Sequence, residues 1–312
     1  MTLKLGIVVP CYDEEAVLPE TGKRLLQCVD AMQQAQLISG ESTIHFVDDG
    51  SRDRTWQIIQ SLCASDRRVH GIKLSRNRGH QNALLAGLFS VEADVLVTVD
   101  ADLQDDVAVI EQMVRAHAAG SEIVYGARKS RVNDGVFKRS SAVFYYKILS
   151  WMGVDLVHNH ADFRLMGRRA VDALREYSEV NLFLRGVIPL LGYPTTTVYY
   201  DRVARFAGVS KYPLRRMISL ALNGITSFSI TPLRLITAMG LLVSLFSFAM
   251  VLWVMYGVLV RHAVIPGWAS SVIPIYFLGG VQLISVGILG EYVGKIYLET
   301  KRRPRYFIEE VI

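Results

Sequence analysis

The stretch VLVTVDADLQD, residues 95–105, decides the fold, because an apolar, β-branched run ends abruptly in a cluster of carboxylates. The same pattern occurs upstream in GIVVPCYDEE (6–15) and IHFVDDGS (44–51). Helix-like stretches near residues 15–36, 53–64, 80–91 and 107–119 separate these and two further strand-like runs, 69–75 and 122–127. This alternation predicts an α/β fold with a doubly wound parallel sheet, whose binding edge lies at the carboxyl ends of the strands.

The predicted edge is acidic at three strand ends. Its carboxylates would repel one another and any phosphate group unless a cation lay among them. An Asp-x-Asp such as Asp100-Ala-Asp102 suits Mg²⁺ or Mn²⁺ bridging a substrate diphosphate. Each acidic strand end alone has a simpler explanation: residues 48–51 could form a turn, and Asp102 or Asp105 could cap the next helix. Three acidic strand ends on one edge favour the cation site. No dinucleotide-binding or P-loop glycine pattern follows any of these strands.

The composition points to a membrane. The chain has 312 residues, 51% of them apolar, and a mean hydropathy of +0.27. Residues 235–260 and 263–290 contain no charged residue, and each stretch exceeds the roughly 20 residues that cross a bilayer. A buried helical hairpin of a soluble domain is the alternative. The three cysteines lack metal or disulfide spacing, the first residues carry no signal-like leader, and both features indicate a reduced, cytosolic N-terminal part.

Basic residues predict the orientation of the two spans. Arg215, Arg216 and Arg234 precede the first span, and five Lys or Arg between 295 and 305 accompany the end of the second, against Arg261 alone between them. Both ends are therefore expected to be cytoplasmic. Residues 212–231 show apolar positions at helical spacing with polar faces, which predicts an amphipathic helix in the membrane interface.

Four motifs, VVPCYDEE, VDDGSRDRT, DADLQD and YGAR, resemble the GT-A fold of the family 2 glycosyltransferases. Four later segments, at 161–168, 205–212, 224–234 and 289–306, resemble the polyprenyl-phosphate glycosyltransferases, with the bactoprenol glucosyltransferases the most similar group. The resemblance implies a cytoplasmic GT-A domain over 1–211, the interfacial helix over 212–231, a two-helix transmembrane hairpin over 232–297 and a basic cytoplasmic tail over 298–312.

The resemblance also implies a donor site. The residues expected to hold the nucleoside are Pro10, Tyr12, Glu14, Val47 and Asp49. Asp100, Asp102 and Gln104 are expected to hold the metal and the diphosphate. Arg128 is expected to bind a phosphate group. Without the resemblance, Arg128 would be an ordinary solvated loop charge.

An acceptor site is implied by RFAGVSKY. Arg205 and Lys211 offer two cations and Ser210 a hydroxyl, all suited to a lipid phosphate at the membrane surface, although snorkelling charges would look the same. Asp102 and Asp162 are the candidate catalytic residues. Asp162 is the candidate nearest the acceptor, where it would either position the sugar or accept a proton from the minority monoanion of the lipid phosphate. Its alternative is a plain ion pair with Arg164 or Arg168.

The expected activity is inverting transfer of a sugar onto polyprenyl phosphate at the bacterial inner membrane. UDP-glucose is the first choice of donor, and UDP-N-acetylglucosamine or an aminoarabinose donor are the alternatives. The resemblance further suggests a homo-oligomer, a tetramer, and a role in O-antigen or another lipopolysaccharide or envelope glycan; nucleic acid is not an expected partner. A processive synthase is disfavoured because the chain lacks Q-x-x-R-W, and a non-catalytic membrane scaffold is the competing class.

Overall fold

The computed structural model describes residues 2–128, 160–180, 183–201, 231–259 and 267–312. These residues form two compact units. One unit contains a mixed sheet with its covering helices and includes Arg302–Ile312, while the other contains two long apolar helices. Each unit is described separately below.

The elements of the first unit follow the predicted alternation closely. The strands are β1 Leu5–Cys11, β2 Thr43–Asp48, β3 Val69–Leu74, β4 Val95–Thr98, β5 Ile123–Arg128, β6 His160–Gly167, β7 Thr195–Tyr200 and β8 Ile308–Val311. The helices are α1 Leu18–Gln34, α2 Thr55–Ser65, α3 His80–Ser90, α4 Val109–Ala118, α5 Arg168–Arg175 and α6 Leu184–Leu190.

The five strands that the sequence predicts, β1–β5, all run in the same direction as predicted, but three later strands join them and make the sheet mixed. Its strand order is β7-β5-β6-β4-β1-β2-β3-β8. Strand β6 runs antiparallel to both neighbours, and β8 runs antiparallel to β3. The reversed strands β6 and β8 lie outside residues 1–127, for which the sequence predicts the strands, and apolar periodicity carries no information on the direction of a strand. Because β6 is reversed, its first residues lie at the edge where β4 and β5 end.

The core forms on both faces of the central strands. All seven residues of β1 are buried, and Ile7 and Val9 belong to the apolar cluster that includes α1, α2 and α4. Helix α1 buries Leu18, Leu25, Val29 and Met32, spaced three, four or seven apart, so one face of an amphipathic helix meets the sheet. On the opposite face α3 packs on β1 and β2.

Helix α3 approaches the sheet closely because it has a glycine where it crosses β1. A Cβ added at Gly87 would lie 2.3 Å from Val8 Cγ1 and 3.0 Å from Val47 Cγ2. No side chain fits this gap without displacing the helix or the strand. The position of the first residue of α3, His80, therefore depends on this contact.

The C-terminal residues complete the sheet. The prediction treats 298–312 as a basic tail, but its last residues form β8 on the edge of β3. Gly71 N–H donates to Ile312 O at 3.0 Å, and Ile312 N–H donates to Gly71 O at 2.9 Å. The Ser75 N–H donates to Phe307 O at 3.0 Å. The tail thus covers a strand edge that would otherwise expose unpaired backbone groups.

The second unit contains the helices α7, Thr231–Leu259, and α8, Trp268–Thr300. Both contain segments long and apolar enough to cross a membrane, Thr231–Met250 with mean hydropathy 1.9 and Phe277–Thr300 with 1.4. Large apolar side chains such as Leu242 and Phe246 are 68% and 66% exposed, so no described part of the protein covers them. A soluble helical hairpin would bury this surface.

Replacing Gly87 with Ala should destabilise the sheet unit by about 1–3 kcal/mol, because the added methyl group overpacks the α3–β1 contact. Thermal unfolding of the detergent-purified protein would measure the effect. Gly40→Ala is the matched control, since a Cβ there meets nothing within 4 Å. Equal stability of both variants and the wild type would contradict the close-contact argument.

Candidate active site

The predicted donor residues lie along one edge of the sheet. Tyr12 and Glu14 follow β1, Asp49 follows β2, and the Asp-x-Asp follows β4. Arg128 is the last residue of β5. Strands β4 and β6 are antiparallel, and Thr98 pairs with Arg164. Two residues after Thr98 is Asp100, and two residues before Arg164 is Asp162, so this register brings the two aspartates to the same place on the edge.

Two of the predicted nucleoside residues lie inside the sheet. Pro10 and Val47 pair in register across β1 and β2, and both are buried. Val47 faces the Gly87 position of α3. Their side chains therefore pack beneath the edge instead of lining it. Of the five predicted nucleoside residues, Tyr12 is the most exposed large side chain, with 38% of its surface accessible to solvent.

The loops after β1 and β2 are bound to each other by hydrogen bonds. Asp13 N–H donates to Ser51 Oγ at 3.0 Å, and Glu14 N–H donates to Thr55 Oγ1 at 2.9 Å. In return, Arg52 N–H donates to Asp13 Oδ1 at 2.8 Å. Asp13 adopts a φ of 54°, which an aspartate tolerates better than most residues. Tyr12 and Glu14 are thus presented by a braced loop.

Asp49 holds the loop after β3. Its Oδ1 accepts a hydrogen bond from Arg78 N–H at 2.6 Å, and its Oδ2 accepts one from Gly79 N–H at 2.8 Å. The side chain is buried, and burial raises its pKa although the two N–H groups act in the opposite direction. The predicted nucleoside ligand therefore also fixes the backbone that leads into α3.

The Asp-x-Asp loop carries an unsatisfied carboxylate oxygen. Asp100 Oδ1 is buried with no hydrogen-bond partner among the described residues. Burial and the neighbouring Asp162, Asp105 and Asp102 raise the pKa of Asp100 to about 6, although His80 partly opposes this. Within the same loop, Gln104 N–H donates to Asp102 Oδ1 at 3.1 Å.

This loop fits a divalent cation in part. Over the described ranges no three Asp, Glu, His or Cys side chains are grouped as a ready metal site. The predicted set consists of two carboxylates and one amide, Asp100, Asp102 and Gln104, so further oxygens would have to come from a bound diphosphate or water. Asp100 Oδ1 has no hydrogen bond among the described residues, and the carboxylates around it repel one another. A bound cation would compensate for both features.

Arg128 is paired rather than solvated. Its Nη2 donates to Asp105 Oδ1 at 3.0 Å, and the Tyr200 hydroxyl donates to the same oxygen at 2.5 Å. Burial alone would lower the pKa of Arg128, but Asp105 and Tyr200 outweigh it and raise the pKa. Sequence reasoning missed Tyr200, whose strand is distant along the chain, and assigned Asp105 no role beyond a possible helix cap.

Asp162 is surrounded by cations. Its Oδ1 accepts hydrogen bonds from Arg164 Nη2 at 2.5 Å and Arg185 Nε at 3.3 Å, and its Oδ2 accepts one from Arg185 Nη2 at 3.2 Å. Burial would raise its pKa, but His80, Arg185 and Arg164 together hold it well below the usual range. Arg168 pairs with Asp172 instead. A carboxylate with such a low pKa is a weak base.

His80 joins the two acidic positions. Its Nε2 lies 3.4 Å from Asp100 Oδ1 and 3.4 Å from Asp162 Oδ2. Partial burial lowers the pKa of the ring, but Asp162 and Asp100 outweigh this and raise it. The sequence pattern marks His80 only as the start of a helix. The place of His80 and Arg185 in the site was therefore not predicted from the sequence.

The predicted acceptor residues Arg205, Ser210 and Lys211 lie outside the described residues. The interfacial helix predicted over 212–231 does so as well, apart from Thr231. Their roles stay predictions.

Asp49→Asn should lower the stability of the sheet unit by about 1–3 kcal/mol, because an amide offers one acceptor oxygen and turns its NH₂ group toward the second backbone N–H. Thermal unfolding without nucleotide would measure this. Asp13→Asn is the matched control, since within the described residues the Asp13 side chain accepts one hydrogen bond, from Arg52 N–H, that an amide oxygen can keep. Identical unfolding of the two variants would refute the bracing role of Asp49.

Comparison with known proteins identifies the family. The family model described as glycosyl transferase family 2 matches residues 6–175, more than half of the chain. An uncharacterized glycosyltransferase of Bacillus subtilis, YkoT, is 47% identical over 98% of this chain and 91% of its own length. The bactoprenol glucosyl transferase of Shigella phage SfX is 40% identical over 98% of this chain and 99% of its own length.

Among solved structures, the glucosyl-3-phosphoglycerate synthase of Mycobacterium tuberculosis in complex with Mn²⁺, UDP and phosphoglyceric acid matches 72% of this chain and 76% of its own. It has 15% sequence identity and a TM-score of 0.48, which supports no conclusion about ligands of this chain. The GT-A-like α/β fold with two apolar C-terminal helices is confirmed by the family match together with the observed sheet. The chain therefore belongs to glycosyl transferase family 2 and is a glycosyltransferase.

Proposed function

We propose that this glycosyltransferase transfers a sugar, glucose from UDP-glucose as first choice, onto polyprenyl phosphate at the cytoplasmic face of the bacterial inner membrane. One observation carries the proposal. The sheet edge holds the Asp-x-Asp, whose Asp100 Oδ1 has no hydrogen bond among the described residues, in a chain that matches a bactoprenol glucosyl transferase over 98% of its length. The lipid-linked sugar would then serve O-antigen or another envelope glycan.

The donor side of the proposal rests on the acidic loop. Asp100, Asp102 and Gln104 would hold Mg²⁺ or Mn²⁺, which when bound neutralises the charge of the departing nucleoside diphosphate. Arg128 lies on the next parallel strand end and keeps N–H groups beyond the one given to Asp105, so it is the proposed contact for a phosphate oxygen. Tyr12, Glu14 and Asp49 would hold the nucleoside on the braced loops, supported by Pro10 and Val47.

The lipid phosphate does not require a general base to act as a nucleophile. A phosphate monoester has its second pKa near about 6, so at neutral pH it is largely a dianion. We propose that one of its oxygens forms a bond to the anomeric carbon while the bond from that carbon to the diphosphate breaks, with inversion from an α-linked donor to a β-linked product. No proton has to be removed in this step.

Asp162 fits this chemistry as a positioning group. Two arginines and His80 surround it, and its depressed pKa makes proton abstraction unfavourable. It can instead hold these cations in place beside the reacting groups. The proton-accepting alternative for Asp162 thus receives no support from its surroundings.

The lipid phosphate is proposed to bind Arg205, Ser210 and Lys211, which precede the first apolar helix in the chain. Residues on both sides of the two apolar helices belong to one sheet, since β7 precedes them and β8 follows them. An even number of membrane crossings must therefore separate β7 from β8. Two spans with both flanks cytoplasmic satisfy this requirement and agree with the distribution of basic residues.

The direct test is transfer by the full-length, detergent-purified protein with undecaprenyl phosphate, Mg²⁺ or Mn²⁺ and a panel of radiolabelled sugar nucleotides. Label in the organic phase from UDP-glucose would support the proposal as stated. Label from UDP-N-acetylglucosamine or an aminoarabinose donor would keep the reaction and correct the sugar. Intact nucleotide binding with no transfer from any donor would support the scaffold alternative.

Asp102→Asn should lower metal-dependent turnover at least about 100-fold, because the cation loses a charged ligand. Initial rates over a range of Mn²⁺ concentrations would measure it. The control is Asp106→Asn, because within the described part of the chain the Asp106 side chain accepts one hydrogen bond, from Ala108 N–H, that an amide oxygen can also accept. Wild-type activity of Asp102→Asn would remove Asp102 from the metal site.

Arg205→Ala should raise the KM for the lipid acceptor, or lower kcat, about 10-fold or more while leaving the affinity for UDP nearly unchanged, because a cation on the phosphate is lost. Steady-state kinetics and UDP titration would separate the two effects. A collapse of UDP binding in this variant would show that the donor and acceptor sites are assigned the wrong way round.

A further inference from the structure

His80 lies between two carboxylates that come from different strands and have different proposed tasks. Asp100 follows β4 and belongs to the donor-side loop, whereas Asp162 lies on β6 beside Arg164 and Arg185 and is the residue proposed to lie nearest the acceptor. The His80 Nε2 atom is equidistant from both, at 3.4 Å. A histidine in contact with both halves of a transfer site is a candidate for a role in the reaction.

The backbone holds this imidazole in a defined place. Gly79 precedes it with a φ of 89°, a conformation that side chains with a Cβ rarely adopt. The Gly79 N–H is bound to Asp49 at 2.8 Å, and Gly87 lets the helix that begins at His80 pack directly on Val8. The backbone conformation of Gly79 and these two contacts therefore fix where α3 begins.

The two carboxylates that face His80 differ in how firmly other groups hold them, and this difference indicates what the imidazole ring contributes. Asp162 is already held by Arg164 and Arg185, so its direction does not depend on His80 alone. Asp100 Oδ1, in contrast, has no hydrogen bond within the described part of the chain, and the group that approaches it is His80 Nε2, at 3.4 Å. An N–H placed between the two carboxylates reduces their repulsion and sets the separation between them.

We propose that His80 is a positioning residue of the transfer reaction, holding the donor-side Asp100 and the acceptor-side Asp162 at a fixed separation through its Nε2. The inference rests on the proposed function and adds a residue to its machinery. It requires no change in the protonation of His80 during the reaction. Its consequence is that loss of the ring N–H impairs the chemical step more than donor binding.

The test compares His80→Ala with His80→Gln in the full-length, detergent-purified enzyme with UDP-glucose, or the donor found active, and undecaprenyl phosphate. The glutamine side-chain amide can place an N–H near the position of Nε2, whereas alanine cannot. We expect His80→Ala to lower kcat about 10- to 100-fold, with the donor KM changed less than about 2-fold. His80→Gln should recover most of the lost kcat.

The matched control is His117→Ala, the same chemical change on α4, where the ring contacts Ser121 O instead of the edge carboxylates. Its kcat should equal that of the wild type. Thermal unfolding of all variants shows whether the protein stays folded.

Three results would overturn the proposal. Wild-type kcat in His80→Ala would do so, as would an equal loss of kcat in His80→Ala and His80→Gln, which indicates a purely structural role. The third is a rise in donor KM with unchanged kcat. If the wild type itself transfers no sugar from any donor, the proposed function fails, and the role of His80 in it fails as well.

Discussion

Repulsion between carboxylates at a single sheet edge is the constraint on which the rest of this structure depends. Parallel strands bring their carboxyl ends together, and here those ends are acidic. The fold relieves the repulsion differently at each position. Asp49 receives two backbone N–H groups, Asp105 receives Arg128 and Tyr200, and Asp162 receives two arginines. Asp100 Oδ1 has no hydrogen bond among the described residues and receives only partial relief from His80 Nε2 at 3.4 Å, so burial and the neighbouring carboxylates raise the pKa of Asp100 to about 6.

The scaffold is organised around these neutralising contacts. Reversal of β6 brings Asp162 and Arg164 to the edge where β4 ends, which a parallel strand in that place would not do. Close packing of α3 through Gly87 brings His80 to the same edge. The C-terminal strand β8 covers the opposite side of the sheet beside β3, and its neighbour Phe307 lies under the Arg78 guanidinium at 5.9 Å. Apolar packing and charge placement thus depend on the same few elements.

Much of the fold was predictable because it is encoded locally. Five apolar runs, three of them ending in acidic residues, located five strands within two residues, and uncharged stretches located both apolar helices. The Asp-x-Asp was readable for the same reason, since its members are adjacent in sequence. His80, Arg185 and Tyr200 were not readable, because each reaches the site through a contact with a residue between 20 and 95 positions away. The direction of β6 and the pairing of β8 depend likewise on long-range register, which apolar periodicity does not report.

The central claim is that the residual acidity of this edge serves to bind a nucleoside diphosphate through a divalent cation. Calorimetric titration of UDP into the detergent-purified, full-length protein, with Mn²⁺ and then with EDTA, tests it most directly. The account predicts that UDP binds at least about 10-fold more tightly with Mn²⁺, because without a cation the Asp100 and Asp102 carboxylates repel the diphosphate. Equal affinity for UDP under both conditions would contradict the claim.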